Sequence, residues 1–434
     1  MASVTYLPSE LVMEIMSRVP GKSVARFRSV SKQFRSLLSD SCLLRLHHTR
    51  SRDSLFTVRA VNDIRPLKDV CGGFGHSFDT YTTYYFSVTN KANGLVHEFT
   101  LNFYSPRVRM LTCYHQLLCF TCETDIYLCD PLNKELKKLP GSTVSKRCFD
   151  ESKDNECLVS FGFVDGAKKQ YKVVKWPRDL DENRTRRLPS GLITTWKKFD
   201  LMFEILNVNI LEHGRLKVSG WSRHSRPCPY LLQLSSQVHV NGVIYWTTSD
   251  FQIVSFSLED ETFSTLDAKP PCFRGPQETR SFTLSGTHGS LWMIMLDYSV
   301  PPSRIMEVWK MEDSGWARIH AVHLGGSHHP ADKDLGKVEM LDIGSDQVLF
   351  KLSSPSSRGP FIWCYDAKTN TLENYGSMSY DCQLCHSIDG LLSLRDIDMS
   401  GSLTPSTKSP SFGSFSDTHI IRKTLSLLML GRKS

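Results

Sequence analysis

Residues 115–139 read HQLLCFTCETDIYLCDPLNKELKKL, and this stretch decides the fold class. It holds two short apolar runs, 117–120 and 126–129, then a polar turn and a brief return run that ends at Leu139. Apolar and aromatic runs of this length, bounded by Asp, Pro and Asn, are typical of β-strands joined by tight turns. The stretch therefore predicts a small sheet of short strands.

The same pattern recurs from residues 241, 289 and 346, starts that lie roughly 50 residues apart, as do the blades of WD40 and kelch propellers. Residues 157–240 have room for two more copies and residues 53–101 for another. No helical pattern of comparable length intervenes. We therefore predict an all-β, propeller-like domain of about six blades. A β-sandwich is the alternative, and it fits an unbroken repeat less well.

The first fifty residues change to a helical period. The pattern predicts one helix that starts at Pro8 and stops before Pro20, a second over about 22–30, a third capped near Ser31 and a fourth segment from Ser41. Chains this small bury only about 60% of their surface, so their many large apolar residues cannot all be internal. We expect the surplus to face a partner, and the whole chain to be an α+β multidomain protein.

Composition indicates a folded protein, with 40% hydrophobic and 22% charged residues among 434. The N-terminus shows no signal-peptide pattern, and no apolar run is long enough to cross a membrane. Thirteen cysteines without such a signal favour reduced thiols. We expect a protein of the cytoplasm, the nucleus or both, with no membrane partner.

The net charge of +7 is concentrated at the two ends of the chain. Residues 1–52 hold nine Lys and Arg against three Asp and Glu, and residues 400–434 hold five against one. The large central part is therefore nearly neutral. A nucleic-acid-binding protein would be expected to carry its basic surface there, so we expect no nucleic-acid partner.

Few residues suggest a cofactor. Cys382, Cys385 and His386 match the haem-attachment pattern, but this pattern needs an export route. Cys119 and Cys122 could supply further thiolates for zinc, yet buried inert cysteine explains both pairs better. No catalytic triad or paired-carboxylate motif stands out, and a propeller enzyme such as a glycosidase would need one. We expect no catalytic residue, metal or cofactor.

The segments 7–11 (LPSEL), 15–20 (IMSRVP), 22–23 (KS) and 26–32 (RFRSVSK) resemble, in order, the F-box of the large plant F-box families. The resemblance implies docking to a Skp-type adaptor, and through it to a cullin–RING ligase core. Sequence alone does not separate docking residues from the internal core of the helices. The docking or plug-forming residues implied by the resemblance are Leu7, Pro8, Leu11, Ile15, Val19, Pro20, Val24, Phe27, Val30 and Phe34.

The remainder resembles the F-box-associated domain of the same families, through ordered landmarks at 117–120 (LLCF), 129–131 (CDP), 161–163 (FGF), 171–174 (YKVV) and 240–246 (VNGVIYW). This implies three parts: an F-box over 1–52, a propeller-like recognition domain over 53–395, and a flexible Ser/Gly/Pro-rich tail over 396–434. It also implies a non-catalytic receptor subunit of an SCF-type ubiquitin ligase that presents an unidentified protein for ubiquitination. The alternative is an F-box scaffold without a ubiquitination target.

Overall fold

Helices occupy the start of the chain and strands the rest. The computed structural model describes residues 7–27, 30–38, 40, 42–43, 46–47, 50, 55–66, 80–90, 94–105, 108–114, 116–122, 125–142, 159–165, 169–176, 182–187, 193–198, 202–211, 215–232, 237–248, 252–266, 280–297, 305–324, 338–344, 346–352, 360–377, 382–388, 392–398 and 410–413.

The helices are α1 (Ser9–Met16), α2 (Gly21–Phe27) and α3 (Lys32–Leu37). Pro8 precedes α1 in an extended conformation, and Ser31 caps α3 by accepting a hydrogen bond from the Phe34 amide at 3.0 Å, as predicted. α2 is described as far as Phe27, and residues 28 and 29 of the predicted helix lie outside the described ones. Further helical residues, 42–43, 46–47 and 50, lie in the predicted fourth segment.

Strands follow from residue 55 onward. The first half of the set is β1 (Leu55–Pro66), β2 (Thr80–Asn90), β3 (Gly94–Phe103), β4 (Val108–Tyr114), β5 (Leu117–Cys122), β6 (Asp125–Asp130), β7 (Glu135–Lys138), β8 (Val159–Asp165), β9 (Lys169–Lys175), β10 (Glu182–Arg187), β11 (Ile193–Lys198), β12 (Glu204–Ile210), β13 (Arg215–Val218) and β14 (Ser222–Arg223). The second half is β15 (Val238–Val240), β16 (Val243–Thr247), β17 (Ile253–Ser257), β18 (Thr262–Thr265), β19 (Arg280–Thr287), β20 (Ser290–Asp297), β21 (Ile305–Glu312), β22 (Gly315–His323), β23 (Val338–Ile343), β24 (Gln347–Leu352), β25 (Phe361–Asp366), β26 (Thr371–Ser377), β27 (Cys382–Ile388), β28 (Ser393–Asp398) and β29 (Ser411–Gly413).

The chain divides into two compact units. The first comprises Met1–Lys175, Glu204–Ser222 and Cys385–Ser414, and the second comprises Trp176–Phe203, Arg223–Leu384 and Phe415–Ser434.

The first unit contains three sheets. Their strand orders are β27-β1-β2-β3-β29, β4-β5-β6-β7 and β28-β13-β12-β9-β8, with β14 beside β12. Phe86 stacks on Phe99 at 4.7 Å within the first sheet, and Phe120 of the second sheet meets Tyr84 of the first edge-on at 5.1 Å. Such pairs stabilise beyond their buried area, by about 1 kcal/mol each. The apolar faces of these strands thus make one continuous core.

The second unit contains the sheets β15–β18, β19–β22 and β23–β26, each a four-stranded antiparallel meander, and the two-stranded hairpin β10–β11. The sheets approach closely, because a Cβ atom at Gly286 on β19 would lie 2.8 Å from the His239 carbonyl oxygen on β15. Only glycine permits that approach. An aromatic cluster of Trp176, Phe203 and Phe256 fills part of this unit, with ring centroids 4.8 and 5.6 Å apart.

The turns repeat with the sheets. Lys134, Glu261 and Asn370 each have a φ between 53° and 56°, and each lies in the turn between the last two strands of a meander. Gly315, the first residue of β22, has a φ of 118° at the end of the turn from β21. A left-handed residue at this point lets a short turn match the twist of the two strands. The repeat seen in the sequence is therefore a repeat of turns as well as of apolar runs.

Asp130 organises one of these turns. It is fully buried, and its carboxylate accepts hydrogen bonds from Gln116 Nε2 at 2.7 Å, Asn133 Nδ2 at 2.8 Å and the amides of Leu132 and Asn133. Burial raises the pKa of this carboxyl to about 6. The sheet β23–β26 repeats the device, with Gln347 Nε2 donating to Asp366.

The described sheets of four or more strands number six, which confirms the predicted all-β architecture after a helical segment. Two details differ from the expectation. Residues 157–240 hold one meander, a separate hairpin and the start of the next sheet, instead of two blades. β28 crosses the predicted boundary at 395/396, and β29 lies within the predicted flexible tail. Leu394 and Ile397 are buried, so β28 belongs to the core of the first unit.

Candidate protein-interaction surface

The helical segment has a small core of its own. Val24, Leu38 and Leu43 are wholly buried, and Met13, Met16, Val19 and Phe34 pack against them half-buried. α1 supplies this core from the side that carries Met13 and Met16. The remaining apolar residues of α1 therefore point elsewhere.

Leu7, just before α1, and Leu11 and Ile15 on α1 are exposed apolar residues, which together we call the α1 stripe. Leu11 and Ile15 are four residues apart, so they lie on one side of the helix. Their exposed fractions are 63%, 50% and 50%. Fully burying a Leu or Ile side chain stabilises by about 1.5–3 kcal/mol, so each half-exposed residue would gain about 1 kcal/mol from a covering partner.

A second exposed apolar group lies around the end of α2. Phe27, the last residue of α2, is 38% exposed and Val30 is 66% exposed. Pro8 and Pro20 are also exposed. Isolated apolar residues are ordinary on a protein surface, but this many within 24 residues of sequence are not explained by the internal core.

The structure sorts the ten residues predicted to dock or form the plug. Val24 is core, and Val19 and Phe34 pack against that core. The other seven are exposed, namely Leu7, Pro8, Leu11, Ile15, Pro20, Phe27 and Val30. The core residues hold the helices that carry the exposed ones. That the exposed residues bind an adaptor stays a prediction.

An ion pair between Arg50 and Glu14, which the sequence did not predict, holds α1 in place. Arg50 Nη2 donates to both carboxylate oxygens of Glu14, at 2.8 and 2.9 Å, and Arg50 Nη1 contacts Ser17 Oγ. Arg18 also donates to Glu14 at 2.8 Å. The hydrogen bonds from Arg18 and Arg50 lower the pKa of the Glu14 carboxyl.

A further contact supports the same joint, because His47 Nε2 lies 2.9 Å from the Val19 carbonyl oxygen. Arg50 and His47 thus connect the end of the helical segment to α1 and to Val19, three residues after α1. These contacts span about thirty residues, and no local pattern announces them. The core therefore fixes α1 on the side of Met13 and Met16, and the ion pair at Glu14 fixes it from a second side.

Other candidate sites receive no comparable support. Within the described ranges, no group of three or more His, Cys, Asp or Glu side chains could hold a metal ion. Cys119 is buried and Cys122 half-buried, while the side chains of Cys382, Cys385 and His386 lie outside the described ones. None of the described helices has the length and hydropathy that crossing a membrane requires.

Two protein-family models match this chain. Residues 5–46 match the F-box domain, and residues 75–396 match the F-box associated beta propeller domain. The second match covers most of the chain. Both agree with the resemblances drawn from the sequence and confirm them.

Curated proteins of similar sequence agree with these two family matches. An F-box/kelch-repeat protein of Arabidopsis thaliana is 26% identical over 387 residues, which is 83% of this chain and 93% of the relative. An F-box protein of the same plant is 24% identical over 326 residues, 73% of this chain and 79% of the relative. Among solved structures, TolB from Acinetobacter baumannii aligns over 74% of this chain and 69% of its own, at 8% identity and a TM-score of 0.31. That likeness is too weak to bear on fold or function.

Proposed function

Since this chain belongs to the family of F-box proteins with an F-box-associated β-propeller domain, we propose that it serves as the substrate-receptor subunit of an SCF-type ubiquitin ligase. Such proteins are in general non-catalytic adaptors. The chain would dock a Skp-type adaptor through its F-box, and through the adaptor a cullin–RING core. We place this activity in the cytoplasm or the nucleus, as the free thiols suggest.

The α1 stripe carries the proposal. Leu7, Leu11 and Ile15 remain half exposed or more although the helical segment has a formed core of its own. A helix that lays an apolar row into a partner's groove is a common mode of recognition. The stripe thus has the form that adaptor docking needs.

The basic charge of the same helical segment should increase the rate at which it meets the adaptor. Lys32, Arg35 and Arg26 are exposed on α2 and α3. If the adaptor is acidic, as the family resemblance implies, these charges increase the rate of encounter more than the final affinity. Binding should therefore slow at high salt, while the dissociation rate changes little.

In this role the chain positions the target protein and does not itself catalyse the transfer of ubiquitin. The transfer of ubiquitin would be catalysed by a conjugating enzyme held on the RING subunit. The receptor keeps the target protein close, which replaces an encounter in solution by one at high effective concentration. No residue of the receptor needs to act as an acid, base or nucleophile.

The test is adaptor binding by the double variant Leu11→Ala, Ile15→Ala. Two lost contacts of about 1 kcal/mol each should weaken binding about thirtyfold. The matched control is Ile319→Ala, which truncates an apolar residue 40% exposed on β22, far from the F-box in sequence. It should bind as the wild type does. Unchanged binding by the double variant, or no binding by the wild type, would refute the proposal.

A core variant separates docking from folding. Leu38→Ala truncates a wholly buried residue and should cost about 2–5 kcal/mol in stability. It should lose adaptor binding and also helical circular dichroism. The Leu11→Ala, Ile15→Ala variant should lose binding with its thermal midpoint unchanged. An F-box scaffold without a target would pass both binding tests, yet show no interactor that accumulates when the proteasome is inhibited.

A further inference from the structure

The end of the chain returns to a sheet of the first unit. β29 (Ser411–Gly413) pairs antiparallel with β3 as the terminal strand of its sheet. Ser411 lies opposite Asn102, Phe412 opposite Leu101 and Gly413 opposite Thr100. The edge of β3 thus accepts an extended segment through main-chain hydrogen bonds, as in β-augmentation.

One side chain anchors this segment. The Phe412 ring lies 5.7 Å from the Phe99 ring, on the face that also carries Leu101 and Phe103. Lys134 Nζ lies 5.7 Å from the centroid of the same Phe99 ring. An aromatic ring presented here meets aromatic and aliphatic neighbours, with a cation nearby.

The two last strands of the first unit are held to different degrees. β28 buries Leu394 and Ile397, and side chains of the first unit hydrogen-bond to its backbone and to the residue before it. Gln116 contacts both the amide and the carbonyl of Leu392, and Glu135 accepts from the Leu394 amide at 2.7 Å. β29 is half as long as β28, and Phe412 is only half-buried.

The sequence between them is suited to a tether. Residues 399–410 consist mainly of Ser, Gly, Pro and Thr, a composition typical of flexible linkers. A short tether holds a weak ligand at an effective concentration in the millimolar range. A three-residue strand with one aromatic anchor can therefore occupy its site in cis and still give way to a competitor.

We propose that the β3 edge, defined by residues 99–102 and Lys134, is a binding site for an extended segment of another protein. The segment would carry an aromatic residue between small residues, and Ser411–Gly413 is its displaceable internal mimic. The proposal that this site binds target proteins of the ligase rests on the proposed function. The proposal that the β3 edge binds a peptide is independent of that function.

The test uses the full chain and a labelled peptide of residues 408–414 (KSPSFGS). Phe412→Ala in the protein removes the anchor of β29 and should let the peptide bind about tenfold more tightly than it binds the wild type. Ser411→Ala is the matched control, because Ser411 is exposed and contributes through its backbone. This control should bind the peptide as the wild type does.

Two further measurements keep the result decisive. A chain ending at residue 399 retains β28 and should bind the peptide at least as tightly as the Phe412→Ala variant. A peptide with Ala in place of its Phe should bind neither the shortened chain nor the Phe412→Ala variant. Equal affinity of the peptide for wild type and both opened variants, or binding by none of them, would overturn the proposal. The assay contains no adaptor, so this failure would be distinct from a failure of F-box docking.

Discussion

Replacing Asp130 by Asn tests the account of the most buried carboxyl group. Two hydrogen-bond donors face each of its oxygens, Gln116 Nε2 and Asn133 Nδ2 on Oδ2, and the amides of Leu132 and Asn133 on Oδ1. Asp130→Asn puts an amide NH₂ group where two donors expect an acceptor. Each donor left unpaired costs about 1–3 kcal/mol. At neutral pH the loss of a buried charge offsets part of this cost.

The pH dependence of the unfolding free energy reports on the charge of Asp130. Burial raises the pKa of Asp130 to about 6 from its ordinary 3.8. A carboxyl whose pKa is raised on folding contributes stability that is complete below its unfolded pKa and is lost as the pH rises through about 6. One pKa unit corresponds to about 1.4 kcal/mol, so between pH 7.5 and pH 5 the wild type should gain about 1 kcal/mol from this group.

The assay is denaturant unfolding of wild type and Asp130→Asn at several pH values between 5 and 7.5. The difference in unfolding free energy cancels the titration of all groups that the two proteins share. We expect this difference to widen by about 1 kcal/mol on acidification. A constant difference would contradict the raised pKa, because it would show that the four donors outweigh burial and keep Asp130 charged throughout this range.

Two further substitutions test local features. Ser31→Ala removes the cap that accepts from the Phe34 amide and should lower the stability of the helical segment by about 1 kcal/mol, measured as a shift in its melting by circular dichroism. Gly315→Ala places a Cβ atom at a φ of 118° and should cost about 1–3 kcal/mol in unfolding free energy. Gly141→Ala, where the space around the added Cβ is open, should by contrast be nearly neutral; an equal loss at both glycines would contradict the turn argument.

The sequence predicted the repeat because the repeat is local. The apolar runs 117–120 and 126–129 become the central strands β5 and β6, and the polar turn between β6 and β7 is the one that Asp130 organises. The predicted starts at 241, 289 and 346 mark the second strand of each meander, however. The first strands, such as β15 and β19, are more polar on one side, so their apolar pattern is weaker in the sequence.

Long-range pairings escaped prediction. β28 adds a parallel strand beside β13, between residues 393–398 and 215–217, and only Leu394 and Ile397 hint that this polar segment is buried. The Glu14–Arg50 pair joins residues 36 apart. Composition averages over a window, so the last three residues of β28 are predicted as part of the neighbouring Ser- and Gly-rich tail although Ile397 is buried.

The α1 stripe shows why surplus apolar residues identified an interacting segment but not its docking residues. Leu11 and Met13 are equally apolar in sequence, two positions apart, and a helix turns them by about 200° relative to each other. Which side faces the core depends on where Val24, Leu38 and Leu43 gather, which is a tertiary fact. The sum of apolar residues shows that some must remain outside, and the packing then decides which. Leu7, Leu11 and Ile15 stay outside this core. A partner that covers them gains the free energy of burying their apolar surface, which folding of this chain leaves exposed to water.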